Sequence, residues 1–318
     1  MRRGEPNPPH THPAGTEVGR GTALGLAAYA IWGLFPLYFH ALEPAGAWEI
    51  LAHRILWTLL FCVLALLVTR ELGWLGSLLR RPALLGGIAL AGLLIATNWV
   101  IYVTAVLSGN VSEAALGYFL NPLVTVALGV LVLRERLRRL QWVAVGIGLV
   151  AGVYLWVAGG KVPIIALSLA ASFALYGLTK KKIGATLPAL HGLTIETLVL
   201  VPVAIATLFV VGARGELTFG GHGWVHTALL VGSGVATAVP LLFFAAAARR
   251  IPLVTIGLIQ FITPVMQLLV GVLILGEHMS TARWVGFGIV WLALIVLTVD
   301  SVMSLRRRAV LVDEPLPG

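Results

Sequence analysis

A few charged and amide side chains stand inside long apolar stretches of this sequence, and their spacing limits the chemistry they can do. Glu49, His53 and Arg54 open one such stretch. On a helix Glu49 and His53 are i,i+4 neighbours on one face, with Arg54 one residue further in. The trio reads either as an interfacial ion pair with Arg54 reaching back to water, or as a cationic centre at the outer mouth of a cavity, able to hold an anionic or polar group. Imidazole changes charge near neutral pH, which makes His53 a proton-handling candidate.

Further along, Asn98-Trp99 places an amide in mid-stretch, where it needs a neighbouring helix or a cavity as partner. Glu113, Tyr118, Asn121 and Pro122 share another apolar run. Proline removes a backbone donor and frees the carbonyl four residues earlier. Such an interruption is tolerated where neighbours or a water-filled cavity satisfy the backbone. Glu196 stands inside a later run, as a proton-coupling carboxylate if it faces a cavity and as the partner of a nearby lysine or arginine if it does not. Asp300, beside Arg306 to Arg308, reads as a surface residue.

These residues lie in elements that occur in pairs. Leu116 to Ile147 reads LGYFLNPLVTVALGVLVLRERLRRLQWVAVGI, and Leu258 to Ile289 reads LIQFITPVMQLLVGVLILGEHMSTARWVGFGI. The blocks lie 142 residues apart without a gap and match at 12 of 32 positions, among them Pro122/Pro264 and Glu135/Glu277. Two proline-broken helices at matching positions point to a binding site near the membrane midplane, with Tyr118, Asn121, Gln260 and Gln267 as polar contacts; paired packing kinks are the plainer reading. Glu135 and Glu277 end their helices, where a carboxylate opposes the helix dipole, so each requires a specific partner. Nearby arginines suit Glu135, and Arg283 suits Glu277.

The composition sets the class. With 59% hydrophobic and 11% charged residues, the chain of 318 residues is far from the roughly 25% charge of soluble domains. Its net charge of +9 is scattered between apolar runs, and no basic face forms for nucleic acid. The single cysteine, Cys62, has no partner for an intramolecular disulfide or a metal site. The polar, proline-rich start, with His10 and His12, reads as a solvated tail rather than a signal peptide.

Runs long enough to span a bilayer fall near 21–42, 49–69, 83–106, 112–133, 140–158, 162–179, 192–212, 224–248, 253–275 and 282–303. The basic residues alternate across the loops between them. The two tails and the loops 2–3, 4–5, 6–7 and 8–9 hold 18 of the 22 Lys and Arg, the other side holds Lys161, Arg214 and Arg283, and Arg54 lies inside the second span. By the positive-inside rule both termini are cytoplasmic. Five spans per repeat then invert the second copy. The expectation is an all-α integral membrane protein of ten transmembrane helices, built as two inverted five-helix repeats. Residues 1–20 form a cytoplasmic tail, 21–160 the first repeat, 161–303 the second and 304–318 a second tail.

At this point the sequence resembles the EamA branch of the drug/metabolite transporter superfamily. Glu49 to Arg54, Asn98-Trp99, Glu113 to Leu123, Lys181-Lys182-Ile183, Ile195-Glu196-Thr197 and Thr237 to Leu242 are similar to its RarD proteins, bacterial inner-membrane permeases named for an association with chloramphenicol sensitivity. The similarity runs from about residue 20 to 303. It implies small-molecule transport across the bacterial cytoplasmic membrane and supplies no settled set of binding residues.

The resulting expectation is a secondary permease that moves a small polar or amphipathic metabolite or drug by alternating access. Proton coupling through Glu196 or His53 is an open variant. No GxxxxGK[ST] phosphate loop, HExxH motif or cofactor fingerprint occurs, so neither ATP hydrolysis nor an intramembrane enzyme is favoured. A non-transporting scaffold or receptor is the alternative. Glycine faces fit internal packing and self-association equally, so no oligomeric state follows.

Overall fold

In a computed structural model, the described residues are all but 1–13, 72, 75, 77, 79, 134–136, 160–161, 184–187, 249, 252–258 and 313–318. Their regular structure is all helix, joined by turns, with no strand among them. In chain order the helices are α1 (Ala14–Gly33), α2 (Phe35–His40), α3 (Ala47–Thr69), α4 (Pro82–Leu107), α5 (Val111–Leu133) and α6 (Arg139–Gly159). They continue with α7 (Ile164–Ile183), α8 (Ala189–Ala213), α9 (Gly223–Ala248), α10 (Ile262–Leu269) and α11 (Thr281–Val312). A π-helical turn, Val270–Ile274, extends α10.

Among the described residues, seven helices are long and apolar enough to cross a membrane. They are Glu17–His40, Ala47–Thr69, Pro82–Leu107, Arg139–Ala158, Leu190–Ala213, Gly223–Phe244 and Thr281–Asp300. The sixth and ninth expected spans correspond to shorter apolar helices, Ile164–Lys180 and Ile262–Ile274. The fourth coincides with α5.

Local chemistry explains the breaks. Pro36 cannot donate a backbone hydrogen bond, so the Trp32 carbonyl four residues earlier loses its helical partner. The chain turns at Leu34, and the Gln267 side-chain amide from α10 donates to the Trp32 carbonyl at 3.2 Å. Thr263 Oγ1 donates to the Tyr29 carbonyl at 2.6 Å one turn away. The two expected proline breaks differ from each other. Pro122 lies inside a continuous α5 rather than breaking it, since a proline costs one ladder bond that neighbouring helices can offset. Pro264 follows a turn at Gln260-Phe261, and the Gln260 carbonyl takes the Thr263 amide at 3.3 Å instead.

Packing follows small residues. α3 packs on α8 and α9; α4 packs on α7 and α8; α1 packs on α9 and α10. α5 lies against α7 and α10, and α6 against α11. The closest approach is at Gly234 of α9, where a Cβ would collide with the Trp57–Thr58 peptide of α3. Its repeat mate Gly92, again 142 residues away, brings α4 onto α8, where a Cβ would sit 3.1 Å from the Glu196 carbonyl. A side chain against rigid backbone cannot be relieved by rotamer change, and overpacking of this kind costs about 1–3 kcal/mol.

Gly234→Ala is therefore expected to lower stability by about that amount, read as thermal melting of detergent-solubilised protein. Gly146→Ala, where nothing lies within 4 Å of the added carbon, serves as the control. Equal melting of the two variants would remove the close-approach explanation.

Candidate functional site

Arg54 is the organising side chain. It sits on the second turn of α3, one turn from the Gly234 contact, and is 2% exposed. Its guanidinium carbon lies 4.4 Å from the Trp99 ring centroid, 5.0 Å from Phe39 and 5.7 Å from Phe35. Those rings come from α4 and α2. Thr237 of α9 donates its hydroxyl proton to the Ser233 carbonyl at 2.8 Å, which leaves its oxygen free to accept from Arg54 Nε at 3.1 Å. Arg54 Nη1 is buried without a hydrogen-bond partner. Arg54 is thus enclosed in a cage of rings rather than standing at a cavity mouth.

Asn98, adjacent to Trp99, is fully committed. Its amide nitrogen donates to the Leu169 carbonyl and to Ser172 Oγ, both at 3.0 Å, and its oxygen accepts from Tyr118 at 3.3 Å. Asn98 and Tyr118 thereby join α4, α5 and α7. Tyr118 in turn meets Tyr102, with ring centroids 5.6 Å apart. Tyr102, like Arg54, is buried with its hydroxyl unpartnered. Gln267 keeps an unpartnered oxygen while its nitrogen serves Trp32. Asn121 is half-buried, its oxygen 3.5 Å from Thr125 Oγ1, and Gln260 is half-buried in the turn before α10.

The acidic candidates go elsewhere. Glu49 is fully buried and accepts the Thr218 amide at 2.9 Å, the Thr218 hydroxyl at 2.9 Å and the Phe219 amide at 3.0 Å. It pins the loop before α9. His53 stacks on Phe219 with centroids 4.7 Å apart, and its Nδ1 accepts from Trp57 at 3.1 Å. That bond leaves the proton on Nε2, which faces Glu49 at 3.9 Å. Glu113 accepts the Ile165 amide at 3.0 Å at the start of α7. A carboxylate is favoured there by free N–H groups and the positive end of the dipole.

Glu277 corrects an expectation. It makes no ion pair with Arg283; instead it reaches the start of α5, where it accepts the amides of Val111 and, at 2.7 Å, Ser112. Glu135 lies outside the described residues. Asp300 is not a surface residue: it is 5% exposed and receives Arg138 Nε at 2.8 Å. Glu196, 3% exposed, receives Lys180 Nζ at 2.5 Å and the Tyr176 hydroxyl at 3.4 Å.

Several partners were not legible beforehand. Thr218, in the loop before α9, and His226, in the first turn of α9, lie 2.7 Å apart and complete the Glu49 network, but both are distant from Glu49 in sequence. Phe35 and Phe39 had a usable signal, an i,i+4 aromatic pair straddling Pro36. Glu196 does take a lysine, as its plainer reading had it, but that the lysine is Lys180, 16 residues away, no local pattern tells.

The model of the EamA-like transporter family matches residues 19–157 and again 161–299, with the same 142-residue offset as the sequence echo. The chain belongs to the EamA-like transporter family. The Arg54 cage draws Phe35, Phe39 and Trp99 from the first matched stretch and Thr237 from the second. The chain is 48% identical over 304 residues to the protein named RarD of Streptomyces exfoliatus, covering 96% of each. It is 44% identical over 299 residues to an uncharacterized transporter of Pseudomonas aeruginosa, covering 92% of this chain and 98% of that one. A solved crystal structure of a protein 20% identical superposes with a TM-score of 0.57, covering 88% of this chain and 97% of the other, and shares the fold. These relatives and the apolar helices identify a multi-pass bacterial membrane protein of the drug/metabolite transporter type.

Glu277→Ala is expected to leave the Val111 and Ser112 amides without their acceptor and to cost about 1–3 kcal/mol. Thermal melting in detergent reads this directly. Arg283→Ala, at the partner expected from sequence, should leave melting unchanged; the reverse order would restore that pairing.

Proposed function

We propose that this protein is a secondary permease of the cytoplasmic membrane, with ten spans, halves at 21–160 and 161–303, and both termini cytoplasmic. It carries a small polar or amphipathic molecule by alternating access. The pairing of its helices is the observation that supports this most directly. Exchange each helix of one half for its repeat mate: α1 for α7, α3 for α8, α4 for α9, α5 for α10 and α6 for α11. The α4–α7 contact then becomes α9–α1, α4–α8 becomes α9–α3, and α5–α7 becomes α10–α1. Contacts α3–α8, α5–α10 and α6–α11 map onto themselves. A two-fold exchange of this kind is what alternating access needs, because swapping the conformations of the halves moves the opening from one side to the other. The segregation of basic residues supports an inverted second half.

The cage lies where the halves meet, since Arg54 and Trp99 come from the first and Thr237 from the second. Two proton carriers fit the coupling variant. Protonating Glu196 would release Lys180, and protonating His53 would charge a ring already 3.9 Å from Glu49.

Purified protein in sealed vesicles should pass at least one member of a panel of drugs, amino acids and nucleosides. A pH gradient should drive accumulation, and Glu196→Gln should reduce that accumulation roughly tenfold or more while sparing exchange. Silence across the whole panel would favour a scaffold or receptor. Flux indifferent to the gradient would remove proton coupling alone.

A further inference from the structure

We infer that the Arg54 cage recognises a monocarboxylate whose remainder is apolar or aromatic. The inference deepens the permease reading by naming the class of its cargo, and it rests on that reading for transport but not for binding.

A guanidinium stays protonated at any physiological pH, and burying an unpaired charge is strongly unfavourable. Arg54 has no carboxylate within ion-pair distance among the described residues. The buried and half-buried carboxylates are spoken for. Glu49 takes the Thr218 and Phe219 amides, Glu113 the Ile165 amide, and Glu277 the Val111 and Ser112 amides. Glu196 holds Lys180 and Asp300 holds Arg138. The Trp99, Phe39 and Phe35 rings stabilise the cation, but they neutralise nothing.

What remains open on Arg54 defines the ligand. Nε is spent on Thr237, while Nη1 is buried and unpartnered. Tyr102 supplies a second buried, unpartnered donor, its hydroxyl, on a ring 5.9 Å from Phe39, the ring that lies 5.0 Å from the Arg54 guanidinium. A carboxylate has two oxygens for two such donors, and its planar geometry matches a guanidinium edge. One unbalanced positive charge calls for one negative charge, which disfavours a phosphate dianion. No buried or half-buried carboxylate among the described residues is left over for an ammonium, so a zwitterionic amino acid would bring a second unpaired cation. The surrounding rings favour an apolar remainder.

Benzoate tests this, with benzamide as the neutral isostere, phenylalanine as the zwitterion and phenyl phosphate as the dianion. Binding to the full chain in lipid nanodiscs is followed by calorimetry and by the fluorescence of Trp99, checked against Trp99→Phe. Benzoate should bind saturably and at least about tenfold tighter than the other three. Arg54→Gln, verified as monodisperse, should lose at least that factor, with Arg54→Lys intermediate. Tyr102→Phe, which removes one hydroxyl from an otherwise intact cage, should weaken benzoate several-fold and leave benzamide unchanged; this keeps a readout if Arg54→Gln fails to fold.

Absence of saturable benzoate binding, equal affinity for benzamide, phenyl phosphate binding as tightly as benzoate, or full affinity in folded Arg54→Gln would each overturn the inference. Vesicle flux separates it from the permease reading. Benzoate binding without flux of any solute keeps the site and removes transport. Flux of neutral or cationic solutes, with no preference for benzoate, keeps transport and removes the carboxylate site.

Discussion

Much of the interior is set by one close approach, that of Gly234 on α9 to the Trp57–Thr58 peptide of α3. Without a side chain there, the helices meet backbone to backbone, and Thr58 Oγ1 reaches the Gly234 carbonyl at 3.3 Å. One turn away the same spacing sets the Thr237 hydroxyl 3.1 Å from Arg54 Nε. A larger residue at 234 would push the helices apart and take Thr237 out of reach. In an apolar interior helices gain little from burial against lipid-like surroundings, so close packing and hydrogen bonds carry the association. Gly92 performs the same service between α4 and α8 in the other half.

Arg54 is held from several directions for the same reason. Its guanidinium is ringed by aromatics from α2 and α4, and its Nε donates to a hydroxyl from α9. The position of α2 depends in turn on Pro36. The break it causes at Leu34 would orphan the Trp32 carbonyl, and Gln267 from the opposite half answers it. A proline in one repeat and an amide in the other thus fix the angle at which Phe35 and Phe39 meet the cation.

Seven of the ten expected spans and the repeat were readable because each leaves a local signature, and so do charged groups set in apolar runs. Helix-length apolar runs, an echo at a constant offset and charges in apolar surroundings are all visible in a linear chain. Asn98, Arg54 and Tyr118 were identifiable on that basis, and the structure brings them into one neighbourhood through Trp99 and Tyr102. The partners of the carboxylates were not readable, because most are backbone amides. Any residue can supply an N–H, so nothing in the residue types at Val111, Ile165 or Phe219 announces that role. Arg283 was a plausible partner for Glu277 by charge and proximity, but the carboxylate takes the Val111 and Ser112 amides instead.

The tethers between the halves differ in kind at the two ends of the helices. At the ends joined by the basic loops they are side-chain pairs: the ion pairs Glu17–Arg250 and Arg138–Asp300, and Glu71 with His191 at 3.2 Å. One partner in each is well exposed, at 53%, 46% and 58% respectively. Exposed pairs of this kind contribute about 0–1 kcal/mol each. At the opposite ends, Glu49, Glu113 and Glu277 grip backbone amides of the other half, and hydrogen bonds to a charged group are worth about 1.5–3 kcal/mol. A rocking motion of the halves that opens the basic-loop end breaks the weaker set, while water replaces what is lost at the exposed partners. Opening the other end requires three carboxylates to exchange fixed amides for solvent at once. The two directions of the proposed motion therefore start from unequal ground, although the helix pairings on either side of the exchange are the same.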